Sequence, residues 1–236
     1  MLVTMATDAG TPGWPNEDFA AAAPGAAVLL DGATTVPREA DIGCQHGVAW
    51  YARTLGTTLL AAISSQGQVP LADALAASIG QVRDAHSGTC DLEHPRTPAA
   101  TVVAVRADPT GFSYLVLSDS SFAADFGDGH DPLVVSDDHV PAKASPAAAA
   151  GAVTGSVARP GLRGVALLSD GATRITDRYR LLGWPEIMGV IRDEGPEALI
   201  GRVRSAERDD ADGTRWPRAK ASDDATVLWW PASGPG

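Results

Sequence analysis

The sequence predicts an α+β layered domain, and three observations carry that prediction. Helical periodicity comes in two groups, each set between runs of strand-like residues, instead of alternating one for one with strands as a parallel sheet requires. Four short acidic motifs lie beside apolar strand-like runs, spread from one end of the chain to the other. They are Asn16-Glu17-Asp18; Asp31-Gly32 after Ala27-Val28-Leu29-Leu30; Ser169-Asp170-Gly171 after Val165-Ala166-Leu167-Leu168; and Asp223-Asp224-Ala225-Thr226 before Val227-Leu228-Trp229-Trp230. Finally, 236 residues with 44% apolar and 20% charged content suffice for one compact domain with a sizeable core. No segment reads as a dividing linker, so residues 1–236 are expected to form a single domain.

In chain order, residues 2–6 and 26–30 read as strands, the first followed by the turn Gly10-Thr11-Pro12-Gly13. Val48, Ala52, Leu55, Leu59 and Ala62 then recur at helical spacing, predicting an amphipathic helix that ends near Ser64-Ser65-Gln66-Gly67. A second helix starts at Leu71, carries Leu75, Ile79 and Val82 on one side, and should fray before His86-Ser87-Gly88. Residues 101–105 and 112–117 form a predicted hairpin, and residues 122–126 and 133–135 another across Gly127-Asp128-Gly129. The Ala-rich run 141–155 is expected to be a mobile loop. Pro185 and Pro196 mark the first turns of two later helices, where a missing N–H is harmless. The last strand is 226–230, and residues 231–236 are expected to be a frayed tail. Adjacent Trp229 and Trp230 must point to opposite faces of that strand, one of them towards a helix layer.

The formal charge of −11 disfavours nucleic acid and anionic membranes as partners. No basic-then-apolar leader and no membrane-length apolar run is present, and only Cys44 and Cys90 carry thiols. Two thiols could pair but make no disulfide framework, so a reducing, cytoplasmic location is expected. Cys44-x-His46 has too few partners for zinc and reads as core packing on a helix.

Carboxylates at the mouths of buried strands repel one another and lose hydration unless a cation joins them. Hard divalent ions take oxygen ligands, so the acidic motifs read as a two-metal centre assembled from remote parts of the chain. The Gly of each Asp-Gly pair allows close backbone approach and leaves a carbonyl free for a ligand.

Taken in order, these motifs resemble those of the protein phosphatase 2C family of metal-dependent serine/threonine phosphatases, as a divergent bacterial-type member. The resemblance rests on Glu17-Asp18, Asp31-Gly32-Ala33-Thr34-Thr35, Ser118-Asp119-Ser120-Ser121, Asp138-His139, Ser169-Asp170-Gly171 and Asp223-Asp224-Ala225-Thr226, and covers nearly the full length. It implies a four-layer α-β-β-α sandwich, two antiparallel sheets flanked by helix pairs, holding two Mn²⁺ or Mg²⁺ ions at one end. It further implies that Asp31 bridges both ions and that Glu17 and the Gly32 carbonyl serve one. Asp170 and Asp223 would serve the other, Asp119 a weaker third site, and Asp18 would orient ligands or water. The implied reaction is dephosphorylation of phosphoserine or phosphothreonine in a protein substrate, by a water bridging the metals and without a side-chain nucleophile.

The departures from the family pattern bear on substrate handling. Gly13 stands where the family commonly has a phosphate-gripping arginine, and Ala33 where eukaryotic members carry a histidine. Thr34 and Thr35 replace two glycines, Asp224 replaces an asparagine, and the segment between His139 and Leu168 is short for the family's substrate flap. Arg174 and Arg38 are the candidate replacements for the missing phosphate contact; Arg215, Arg218 and Lys220 also lie near a motif. Two other readings stay open: a regulatory or binding module with weakened catalysis, and a phosphatase of a small phosphate ester.

Overall fold

A computed structural model of the chain describes residues 2–33, 42–65, 69–137 and 145–232. Two five-stranded sheets, antiparallel throughout, stack face to face between two layers of helices. One sheet has the order β2-β3-β4-β5-β8: Phe19–Ala23, Ala26–Ala33, Ala99–Ala107, Gly111–Leu117 and Val153–Ala158. The other has the order β1-β10-β9-β6-β7: Thr4–Asp8, Ala225–Pro231, Gly164–Leu168, Ser121–Asp125 and Leu133–Val135. Helices α1 (Val48–Ser65) and α2 (Leu71–His86) cover the first sheet. Helices α3 (Asp170–Asp177), α4 (Trp184–Asp193) and α5 (Pro196–Asp209) cover the second.

The two-residue period of a strand distributes its side chains between these layers. On β3, Val28 and Leu30 pack beneath α1 and α2, while Ala27 and Leu29 enter the core between the sheets. On β10, Val227 and Trp229 lie under the α3–α5 layer, and Leu228 and Trp230 fill the inter-sheet core. Trp230 meets Phe112 of the opposite sheet edge-on, with ring centroids 5.1 Å apart. The adjacent tryptophans therefore serve two cores, as their alternation requires.

Several elements depart from the sequence expectations. β1 is shifted to Thr4–Asp8, and β2 was not foreseen, because four consecutive alanines carry neither alternation nor strand propensity. Pairing with β3 across the Pro24-Gly25 turn makes it a strand, with Gly25 at φ 80° in the left-handed region that favours glycine. The expected mobile loop 141–155 instead contains a 3-10 helix, Pro146–Gly151, and the start of β8, which pairs with β5 along the sheet edge. An edge strand with mostly exposed side chains lacks the apolar signal that would announce it. Residues 141–144 of that stretch lie outside the described residues. α2 continues through a buried His86. In the expected tail, Pro231 belongs to β10 and Ala232 is buried, its N–H donating to the Arg163 carbonyl at 2.9 Å. Cys44 lies ahead of α1 and not on a helix. No described helix is long and apolar enough to cross a membrane.

Candidate active site

Strand register brings the acidic motifs to one end of the sandwich. Leu30 of β3 faces Val102 of β4, and Val102 faces Leu117 of β5, so Asp31, still within β3, and Ser118-Asp119, just past β5, lie at the same end. In the other sheet, Leu168 at the end of β9 faces Val227 near the start of β10 and Ser121 at the start of β6. Asp170 and Asp223, just beyond those residues, therefore belong to the same end. The Ser169 and Thr226 backbones lock the junction: the Ser169 N–H donates to the Thr226 carbonyl at 3.0 Å, and the Thr226 N–H donates to Ser169 Oγ at 2.9 Å.

The motif glycines are close-packing positions. A Cβ on Gly171 would lie 2.0 Å from the Asp224 carbonyl oxygen, and one on Gly32 would lie 2.8 Å from the Glu17 carbonyl oxygen. The Gly32 N–H donates to that Glu17 carbonyl at 3.2 Å, which seats Glu17 beside Asp31-Gly32. Ser118 occupies φ 70°, a left-handed conformation, where the family pattern has glycine.

Asp224 turns out to be a clamp. Its two carboxylate oxygens accept the Gly10 N–H at 2.9 Å and the Glu17 N–H at 2.7 Å. The loop that carries Glu17-Asp18 is thereby tied to the start of β10. An asparagine would offer one acceptor oxygen in place of the two that hold these amides. The Asn16 side chain adds a second tie, donating to Thr7 Oγ1 at 2.7 Å and accepting the Asp18 N–H at 2.9 Å.

Electrostatically, the centre holds more negative charge than its surroundings favour. Burial, followed by the charges of Asp18, Asp170, Asp223 and Asp119, holds the Asp31 carboxyl well above the usual carboxylate range. Asp31 retains some solvent exposure as a residue, but its carboxyl is packed round by protein. Asp18 is pushed up to about 7, chiefly by burial and less by Asp224 and Asp170. Its two oxygens are buried without a full hydrogen bond, although the nearby Ser169 and Thr226 hydroxyls favour its charged form. Asp170 is raised by burial and by Asp223, against the attraction of Arg174.

Asp223 is the member that already has cationic partners. Arg174 Nη2 donates to its Oδ2 at 2.5 Å, and Lys220 Nζ to its Oδ1 at 3.1 Å. Behind it lies a buried network that the sequence did not announce. Glu207 of α5 sits between Arg174, at 3.9 Å, and Arg204, at 2.8 Å, and Arg204 also donates to the Asp223 carbonyl at 2.7 Å. Arg174 thus gives Nη2 to Asp223, while its Nη1 is buried without a hydrogen-bond partner; Arg38 lies outside the described residues together with Asp138 and His139. A cleft of about 470 Å³ opens beside Asp119 and Asp170, walled by Val134, Arg174, Arg178 and Trp184. Arg178, an exposed cation on its wall, escaped sequence analysis because it stands four residues beyond Arg174 with no motif around it.

Among the described residues, no three carboxylate, imidazole or thiol groups converge into a closed metal cage. The donor chemistry nonetheless fits a hard divalent cation. The Asp18 oxygens are buried and lack full hydrogen bonds, Asp31 is surrounded by like charge, and all the candidate ligand atoms are oxygens.

Two predictions test this reading. Asp224→Asn should lower stability by about 1–2 kcal/mol, read from urea denaturation, because one of two buried N–H donors loses its acceptor. The fold favours the protonated Asp18, so this group's stabilising contribution is full below its unfolded value near 4 and is lost as pH rises through about 7. In chelator, Asp18→Asn should therefore raise the melting temperature by roughly 3–6 °C at pH 8 and by clearly less at pH 5. An equal shift at both pH values would refute the electrostatic origin.

Solved structures share this fold. In sequence, no family model and no curated protein matches the chain. In structure, it is similar to a bacterial serine phosphatase variant, with a TM-score of 0.70 and 15% identity, covering 99% of each chain. It is also similar to a serine/threonine phosphatase from Staphylococcus aureus, with a TM-score of 0.66 and 13% identity over 98% of this chain and 95% of that one. A third match is the catalytic domain of the serine/threonine phosphatase PstP in complex with two manganese ions, with a TM-score of 0.60 and 14% identity over 97% and 96%. At end-to-end coverage, with two antiparallel sheets between helix layers, the chain has the protein phosphatase 2C-like fold.

Proposed function

We propose that this protein is a divalent-metal-dependent phosphatase that hydrolyses phosphoserine and phosphothreonine monoesters in proteins. The observation that carries the proposal is the gathering of Asp18, Asp31, Asp119, Asp170 and Asp223 at one end of the sandwich, where the leading influences on Asp31 all oppose its charge. Such an arrangement is stabilised by cations from outside the chain. The similarity to phosphatase structures, one of them holding two manganese ions, supports the same reading.

In this assignment Glu17, Asp31 and the Gly32 carbonyl hold one Mn²⁺ or Mg²⁺ ion, and Asp31, Asp170 and Asp223 hold a second. Asp119 serves a weaker third site. When bound, such ions supply charge neutralisation at phosphoryl oxygens and an acidified water for in-line attack. Asp18 orients ligands or water, its carboxyl influenced by the Ser169 and Thr226 hydroxyls. Arg174 and Lys220 hold Asp223 in place and temper its charge. The phosphate contact then falls to Arg178 on the cleft wall, and not to Arg174.

A second reading, a regulatory module that binds metal without turnover, draws on two observations. Asp223 already has two cationic partners, and the family's arginine position is Gly13, at φ 81° with open space around it. The two readings separate on p-nitrophenyl phosphate. Mn²⁺-dependent turnover that falls at least ~100-fold in Asp170→Asn supports the enzyme. A Mn²⁺-induced rise in melting temperature with no turnover supports the module. Comparing a phosphopeptide with free phosphorylated metabolites distinguishes a protein phosphatase from one acting on small esters.

The arginine assignment makes its own prediction. Arg178→Ala should raise KM for a phosphopeptide about tenfold with little change in kcat. Arg174→Ala should instead lower stability and alter Mn²⁺ affinity. A tenfold KM effect confined to Arg174→Ala would reverse the assignment.

A further inference from the structure

Outside the acidic cluster, the two cysteines meet. Cys44 and Cys90 stand 46 positions apart in sequence, yet their sulfurs are 3.1 Å apart. Cys44 lies in the segment that leads from residue 42 into α1, and Cys90 in the turn that follows α2. Both are half-buried and carry free thiols.

The backbones on either side hold this approach. The Asp91 N–H donates to the Gly43 carbonyl at 2.8 Å, a direct tie between the residue after one cysteine and the residue before the other. The Cys90 N–H donates to the His86 carbonyl at 3.0 Å, which anchors it to the last turn of α2. Gly43 has φ 68°, and a Cβ there would lie 2.5 Å from His94 Cβ, so only glycine lets the two segments come so close. Aromatic packing closes the same junction. His46 stacks on Trp50 with ring centroids 4.3 Å apart, and Trp50 meets His86 edge-on at 5.2 Å. The His46 ring also hydrogen-bonds Thr89 Oγ1 at 3.2 Å. Segments joined on so many sides bring the sulfurs near bonding distance with little further movement.

We infer that Cys44 and Cys90 form a redox-sensitive modification site, which closes to an intramolecular disulfide on exposure to peroxide. This inference stands apart from the proposed phosphatase activity, because neither cysteine belongs to the acidic cluster.

The thiols differ in reactivity. Burial raises the Cys90 thiol, but a hydrogen bond shared with Cys44 and the N–H groups of Gln45 and His46 more than offset it, so Cys90 is the more acidic. Burial and the same shared hydrogen bond push Cys44 up. Cys90 thiolate therefore attacks first. A sulfur–oxygen bond forms, the peroxide O–O bond breaks, and the departing hydroxide takes up a proton as water. The Cys44 sulfur then attacks the Cys90 sulfenic acid, forming the S–S bond and breaking the S–O bond. The Cys44 proton leaves with the hydroxide as a second water. Two thiols and one hydrogen peroxide thus give one disulfide and two waters, the sulfurs losing the two electrons that the peroxide gains. The product ties the chain ahead of α1 to the end of α2.

The experiment treats the full chain with hydrogen peroxide, counts thiols after denaturation, and maps peptides by mass spectrometry, with and without dithiothreitol. Both thiols should disappear together, one cross-linked peptide should join Cys44 to Cys90 within a monomer, and dithiothreitol should restore both. The oxidised protein should melt roughly 5–8 °C higher, as expected for closing a loop of this length. In Cys44→Ser the thermal shift should vanish and Cys90 should proceed to sulfenic and higher oxides. The inference is overturned if both thiols survive peroxide, if cross-links form only between chains, or if each thiol oxidises equally well in the other's serine variant. Thiol counting on the unaltered protein decides the matter even if a serine variant fails to fold.

Discussion

Negative charge crowded into the end of the sandwich is the constraint on which the surrounding structure depends. Asp31 lies in the last part of β3, Asp170 follows β9, Asp223 precedes β10, and Asp18 precedes β2, so antiparallel pairing that orders the two sheets also forces these carboxylates towards one another. The fold answers only part of the resulting repulsion. Asp223 receives Arg174 and Lys220, whereas Asp18 keeps two buried oxygens short of hydrogen-bond partners. Unequal compensation separates the carboxylates into one paired with cations of the protein and others crowded by like charge.

Around that centre, the chain uses acidic residues as structural ties as well as candidate ligands. Asp224 gathers the Gly10 and Glu17 amides and so fixes the loop that presents Glu17 and Asp18. Glu207, from a helix behind the sheet, connects Arg174 and Arg204 and thereby supports Asp223 from the far side. A buried ionic network of this kind carries a large desolvation penalty, and its value lies more in orientation than in net stability. The consequence is geometric: Asp223 is placed by α5 and α3 together, and the cleft beside Asp170 is walled by α3 and the start of α4.

The sulfur pair at the α1–α2 junction obeys a different logic. Its approach is set by backbone hydrogen bonds, one obligatory glycine and an aromatic stack. The sandwich therefore carries two chemically distinct sets of side chains, one of hard oxygen donors and one of thiols.

Local sequence determined the elements whose signals are periodic or covalent. Helices α1 and α2, the hairpins around residues 108–110 and 127–132, and the proline-led starts of α4 and α5 follow from apolar spacing and turn chemistry that act over a few residues. The ordered acidic motifs pointed to the sandwich through the family they resemble, each standing at or near the end of a strand that apolar runs define. Tertiary structure alone decided the rest. Poly-alanine β2 and exposed β8 are strands only because a neighbour supplies their hydrogen bonds. Arg174 could be read as a free cation until α3 placed it against Asp223, and Asp224 as surplus charge until two amides met it. Cys44 and Cys90 could be read only as two thiols able to pair until the segments ahead of α1 and after α2 set their sulfurs together. Hydrogen bonds and ion pairs between residues remote in sequence leave no period in the chain; they exist only once the fold has closed the distance.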